Sequence, residues 1–334
     1  MVLVVLTATL VAIGATALAP ASTGLPKDAT AVPSADTAAA TLAIDAAAGA
    51  VASPPYAVGV TTFTLVDPTR GTPARGSIPA SSARTIRVTV YYPVAGTPGP
   101  TTSTDKAALE TGFPLVVMVH GDAVSAATYA VLETDLAASG LVVVAPDFPV
   151  SSSALPGPAE RDPVEQAADV SFVIASLHGG TDVPGVLAGA IGLGPVGVVG
   201  HSDGGITAAG LAFNDGAADP AVGAVVILSG AEGFFPGGWF DGPSPALLSV
   251  HGTADEVNPF GASQSLYQQA AGAKWFVAVE GGTHLEPFTT SPLVDEIASL
   301  SADFLHAELA GDAAAVARIT ADASAPGLSL VASS

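Results

Sequence analysis

Val196-Gly197-Val198-Val199-Gly200-His201-Ser202-Asp203-Gly204-Gly205 is the stretch on which the reading of this chain turns. Val196–Val199 is a short apolar run of the kind that forms a strand buried on both faces. An Ala-rich segment with helical character follows Gly205. A tight turn between a buried strand and a helix holds a serine in a strained conformation, with its hydroxyl exposed above the sheet. The glycines are required there because a Cβ would meet neighbouring backbone. With 37 glycines in 334 residues the pattern arises easily by accident, and a plain Gly-rich turn is the competing explanation. Its place between strand and helix is what gives it weight.

Working outward, the rhythm on both sides is strand–helix alternation. Pro114–Val119, Leu141–Ala145, Ala224–Leu228, Ala246–Val250 and Phe276–Val279 are further short apolar runs. Helical spacing appears over Ser125–Ser139 (Tyr129, Leu132, Leu136), over 162–178 (Val170, Val173, Ile174, Leu177) and over Pro292–Leu309 (Leu293, Ile297, Leu300, Phe304). Val58–Val66 and Thr85–Val94 precede these units as an expected antiparallel pair. Repeated βα units predict an α/β fold, a mostly parallel sheet covered by helices on both faces. Ligands of such sheets bind beyond the carboxyl ends of the strands, so functional residues are sought immediately after strands.

A serine hydroxyl needs a base, and the base needs an orienting carboxylate. Of six histidines, His306 falls mid-helix and His178 at a helix end, where packing or surface roles are expected. His120 and His251 follow strands but precede Gly121 and Gly252, so tight turns are their simpler role. His201 adjoins the serine and should point away from it. His284, in Gly281-Gly282-Thr283-His284 after a late strand, is the expected base. Asp255, in His251-Gly252-Thr253-Ala254-Asp255, is the expected acid, with Glu256 as competitor further from the strand end. The chain order Ser–Asp–His is the one this fold uses. The oxyanion hole requires backbone N–H groups after the nucleophile and after the third strand, here Asp203 and Asp122. A carboxylate beside a developing oxyanion opposes it, so both side chains are predicted to turn outward.

About 43 residues separate the Gly-rich elbow from the strand ending at Val250, and one helix, one strand and the loop Gly230–Pro245 use them. No cap domain fits, which predicts an open site able to take bulky or polymeric substrates. Phe234, Phe235, Trp239 and Phe240 in that loop are candidates for an apolar substrate-binding rim; packing beneath the loop is the alternative.

Thirty acidic residues against nine basic give a net charge of −21, which disfavours nucleic acid and anionic membrane surfaces as partners. Cysteine is absent, so disulfides and thiolate metal sites are excluded. No phosphate loop, metal cluster or nucleotide fingerprint appears, and no cofactor or metal is expected. Residues 1–21 read as a signal peptide, apolar and uncharged up to Ala19-Pro20-Ala21, although the basic residues that usually open one are missing. An uncleaved anchor is the alternative. Residues 22–54, rich in Ala, Thr, Ser and Pro, read as a flexible linker. The catalytic domain is expected over 55–310. The segment 311–334 is read as a weakly patterned tail, packed as a terminal helix or frayed. No later run is long and apolar enough to span a bilayer.

Tyr91-Tyr92-Pro93, Val119-His120-Gly121, Ala145-Pro146-Asp147, Asp169-Val170, Gly-His-Ser-x-Gly-Gly, His-Gly-Thr-Ala-Asp followed by Pro259, and Gly-Thr-His284 together resemble the α/β-hydrolases. The resemblance is to bacterial platelet-activating-factor acetylhydrolase-like, chlorophyllase-like and dienelactone-hydrolase-like enzymes, with cutinases and polyester hydrolases as similar groups, and it covers roughly residues 56–310. It implies Ser202 as nucleophile, Asp255 as acid, His284 as base and the Asp122 and Asp203 amides as oxyanion donors. Two departures count against a cutinase proper: aspartate stands where methionine usually follows the serine, and again where an aromatic usually opens the oxyanion hole. The disulfide common near that site is also missing. The expectation is a monomeric, secreted bacterial serine esterase acting on an ester substrate. Amide hydrolysis, polyester hydrolysis and a catalytically silent binding protein are its rivals.

Overall fold

The computed structural model describes residues 55–180, 182–242 and 244–334; the expected signal peptide and linker lie outside the described residues. Among the described residues ten strands form one sheet: β1 (Ala57–Asp67), β2 (Arg84–Val94), β3 (Ser103–Thr104), β4 (Leu115–Val119), β5 (Val142–Asp147), β6 (Val196–His201), β7 (Val222–Leu228), β8 (Ala246–Gly252), β9 (Lys274–Val279) and β10 (Leu328–Ser333). Their spatial order is β10-β9-β8-β7-β6-β4-β5-β2-β1-β3. Strands β5, β4, β6, β7, β8 and β9 run parallel. β2 is antiparallel to both β1 and β5, so the predicted hairpin flanks the parallel block.

Among the described residues six α-helices cover the sheet: α1 (Ala130–Ala138), α2 (Pro163–Gly179), α3 (Asp203–Phe213), α4 (Phe260–Gln269), α5 (Leu293–Ala310) and α6 (Ala313–Asp322). The side-chain period of two divides each strand between two cores. In β4, Val116 and Met118 join Leu132, Leu136, Ile297 and Phe304 of α1 and α5 on one face. Leu115, Val117 and Val119 join Val170, Val173, Ala208 and Leu211 of α2 and α3 on the other. A strand buried on both sides reads as an unbroken apolar run for this reason. The chain passes from β5 to β6 on opposite sides of β4, so the order reverses at the β4–β6 boundary. That reversal opens a crevice at the carboxyl ends of those two strands.

Two boundaries differ from the sequence reading. The first turn of the helix predicted over Ser125–Ser139 is a 3₁₀ turn, Ala126–Tyr129. The fold also does not end at residue 310. In the expected tail, α6 buries Ala315 and Ile319, and β10 pairs antiparallel with β9, Leu328 opposite Val279. The buried stripe of α6 is periodic but built of small residues, Ala315 and Ala323 around Ile319, and β10 is an edge strand held by its ladder.

The start of α2 is anchored by ion pairs. Buried Arg84 on β2 donates from Nε and a terminal nitrogen to Asp169, at 2.7 and 2.6 Å, and reaches Asp162 at 3.2 Å. Arg70 adds a third bond to Asp169 at 2.6 Å. These contacts fix the segment entering α2, where Arg161 precedes Asp162.

Candidate active site

Ser202 sits at the junction of β6 and α3 with φ 55° and ψ −121°, a left-handed backbone that a non-glycine residue adopts only under constraint. The surrounding glycines explain how the turn closes. A Cβ on Gly204 would lie 2.0 Å from the Val119 carbonyl oxygen, and one on Gly200 would lie 2.1 Å from that of Gly204. Neither distance is physically possible. The α3 N-terminus therefore approaches the end of β4 with backbone alone.

His284 follows β9 and brings Nε2 to 2.8 Å from the Ser202 hydroxyl. Its Nδ1 lies 2.8 Å and 3.0 Å from the two Asp255 oxygens. Asp255 follows β8 and also accepts the backbone N–H of Val257 at 2.8 Å and of Asn258 at 2.9 Å. Burial works to raise this carboxyl, but the bonds from His284 and the two amides outweigh it and hold it below the usual carboxylate range. An ionised Asp255 requires a proton on His284 Nδ1, leaving the Nε2 lone pair to accept from Ser202. Three side chains from three strand ends thus form one directional hydrogen-bond series. Glu256, the competitor for the acid, is exposed to solvent.

The loop after β4 faces the serine closely; a Cβ on Gly121 would lie 3.2 Å from that of Ser202. Buried His120 fixes this loop. Its Nε2 accepts the Phe148 N–H at 3.3 Å, so its Nδ1 carries the proton and donates to the Gly121 carbonyl at 2.8 Å. That carbonyl belongs to the same planar peptide as the Asp122 N–H, whose direction is thereby set. Asp203 N–H is the first of α3, where no intrahelical acceptor exists and the helix dipole favours negative charge. Asp122 is exposed. The Asp203 carboxylate is bound by Arg161, Nε to Oδ2 at 2.6 Å and a second, shorter contact from the terminal nitrogen. The sequence anticipated a side chain turned away from the oxyanion position; the Arg161 partner that neutralises it was not anticipated.

An open cleft of about 350 Å³ adjoins this pair, lined by Arg161, Pro163, Val164, Ile206, Glu232 and Phe234 among others. Ile206 lies one helical turn beyond Ser202, whose carbonyl accepts its N–H at 3.0 Å. Of the four aromatic rim candidates, only Phe234 is fully exposed and reaches the cleft. Phe235 is buried, and Trp239 and Phe240 are half-buried against the core beside it. Phe235 is buried where a Cβ on Gly210 would meet its ring at 2.6 Å, Trp239 meets its edge at 5.9 Å, and Phe240 stacks on Phe213 at 5.1 Å. The glycine at 210 leaves room on α3 that the loop fills with its own apolar rings. Among the described residues this loop holds no helix between β7 and β8, and no cap covers the serine.

Two histidines assigned only turn or neighbour roles support the site. His251 Nδ1 lies 2.7 Å from the Ser263 hydroxyl, while Nε2 lies 3.1 Å from the Asn258 carbonyl and 3.2 Å from Asp255. Its Nε2–H donates to the Asn258 carbonyl, which ties the residue whose N–H binds Asp255, and the ring edge packs beside the carboxylate. Spacing of four from Asp255 was the available signal. His201 points away from Ser202, as expected, but its Nε2 bonds the His284 carbonyl at 2.7 Å. Among the described residues, no group of three or more histidine or acidic side chains is arranged to hold a metal, and no helix is long and apolar enough to cross a membrane.

Residues 116–332 match a family model described as the alpha/beta hydrolase family, and the chain belongs to that family. No curated protein matches the sequence. Among solved structures, the chain is similar to a ferulic acid esterase from Streptomyces cinnamoneus. That likeness has a TM-score of 0.62 and spans 84% of this chain and 99% of the other, at 20% identity. At that identity it speaks to the fold alone.

Proposed function

We propose that this chain is a secreted serine carboxylic-ester hydrolase working through an acyl-enzyme. The observation that carries the reading is the series Ser202–His284–Asp255, with 2.8 Å at each of its two links. In the first half-reaction His284 Nε2 takes the Ser202 proton as Oγ attacks the ester carbonyl. The Asp122 and Asp203 amides receive the developing oxyanion, and Asp255 stabilises the imidazolium without taking its proton. His284 then protonates the departing alcohol, leaving the acid moiety esterified to Ser202. Water attacks that ester, again through His284, and releases the acid. Ester and water are consumed; acid and alcohol are formed.

The uncapped cleft supports esters with a bulky or polymeric part. Esters of aromatic acids belong beside aliphatic ones as candidates, because the similar solved structure is that of a ferulic acid esterase. Export rests on residues 1–21 alone, and mass determination of secreted protein starting at residue 22 would support it. The experiment for the activity compares matched p-nitrophenyl esters and anilides of short, long and aromatic acids, together with a polyester film, for wild type and Ser202→Ala. Ester turnover that vanishes in the variant supports the reading. Anilide turnover exceeding that of the matched esters favours an amidase. Ester turnover equal in wild type and variant overturns the mechanism.

A further inference from the structure

The placements of the serine, the oxyanion loop and the base loop are set by three separate strand ends, and nothing in the reaction series itself links the last two. A buried polar chain does. Gly121 N–H lies 3.3 Å from the Tyr129 hydroxyl, that hydroxyl lies 2.7 Å from His201 Nδ1, and His201 Nε2 lies 2.7 Å from the His284 carbonyl oxygen. The two ends fix every proton between them. A carbonyl only accepts, so His201 Nε2 carries hydrogen and Nδ1 of the neutral ring is an acceptor. Tyr129 must then donate to Nδ1, and its oxygen accepts from the Gly121 N–H, which can only donate. Each donor has one acceptor, with no mismatch along the chain.

The ring of His201 is also gripped sterically, with centroids 4.8 Å from His284, 5.5 Å from Tyr129 and 5.2 Å from Phe288. Both side chains are buried, so water is not at hand to replace a lost bond. Burial, only partly offset by the bond to the His284 carbonyl, pushes the His201 ring down to about 3, so it stays neutral through the ordinary working range.

We propose that Tyr129 and His201 form a brace that sets the spacing between the oxyanion loop at Gly121 and the base loop at His284, making both residues positioning residues for the reaction at Ser202. The proposal rests on the reading of Ser202 as nucleophile. Neither side chain touches substrate in this account. They act by holding two loops whose relative shift by an ångström costs on the order of a hundredfold in rate.

The test uses the full-length protein, with active sites counted by fluorophosphonate titration and kcat and KM measured on a p-nitrophenyl ester per titrated site. Tyr129→Phe and His201→Phe are expected to lower kcat per site by roughly ten- to a hundredfold, with KM moved less than about twofold. His201→Gln, whose amide nitrogen can donate from the place of Nε2, should recover most of the loss. The double variant should be no slower than the slower single variant, because either change opens the same chain. A lower melting temperature or fewer titrated sites with kcat per site unchanged would reduce the pair to packing and overturn the proposal. If His201→Phe does not fold, Tyr129→Phe and His201→Gln decide by the same measure. Wild type that neither titrates nor turns over would sink the reading of Ser202 itself, and the brace with it.

Discussion

On one side of Ser202 stand His284, Asp255, His251 and His201, whose polar atoms are almost all bound to one another or to backbone. On the other stand Asp122, Arg161, Asp203 and Phe234, with the cleft opening to solvent beside Arg161 and Phe234 and one exposed guanidinium making the principal polar contact to buried Asp203. The first wall is dry and over-determined, the second wet and sparsely held. The difference follows from what each wall would have to do. A proton-transfer series tolerates little displacement, whereas a surface receiving varied esters gains from freedom. In a dry wall a removed hydrogen bond leaves its partner unsatisfied; in a wet one water replaces it.

The largest effect should therefore come from the dry wall. Asp255→Asn keeps the shape but favours the wrong His284 tautomer, and kcat on a p-nitrophenyl ester should fall by roughly 10⁴. A loss under tenfold would mean that Asp255 is not the orienting acid. On the wet wall, Arg161→Ala leaves the Asp203 carboxylate unpaired beside the oxyanion position. A bare charge at several ångströms is worth about 1–2 kcal/mol near a protein surface, so kcat should drop roughly tenfold or somewhat more. Adding Asp203→Asn to that variant should restore most of the rate. Rescue is the informative result, because a wall that merely lost a substrate contact would not regain it.

The smallest effect concerns what lies behind the dry wall. Glu133 on α1 is fully buried near Tyr91 and Tyr129, and burial raises its carboxyl well above the ordinary value, despite the opposing contact with Tyr91. The folded protein keeps a proton there that the unfolded chain releases near pH ~4.3. Stability from this group is thus full below that pH and is lost as pH rises toward the raised folded value. Glu133→Gln should flatten the decline of the melting temperature on the alkaline side while leaving kcat within about twofold. An unchanged slope would show that Glu133 is ionised in the folded protein.

The same contrast explains what was legible in the sequence. Ser202 follows β6 directly and Asp255 and His284 lie in the short loops after β8 and β9, so strand-end position and chain order pointed to them. Arg161 could not be found that way. Its partner lies 42 positions away and the contact depends on how Arg84 and Asp169 seat the start of α2. His251 was read through the glycine beside it rather than through Asp255 four residues on. The aromatic loop left both readings open for a related reason. Composition marks four rings as apolar but cannot say that Gly210 makes room for Phe235 while Phe234 faces solvent. In the tail, the missing cue was bulk: α6 shows mainly alanine to its core, and β10 takes its order from β9.

The most direct measurement is mass spectrometry of the folded wild-type protein after exposure to a fluorophosphonate. A hydroxyl whose proton is drawn toward His284 should take up the probe at Ser202 and at no other serine. A folded sample in which the peptide carrying residue 202 stays unmodified, or in which the adduct sits elsewhere, would contradict the account.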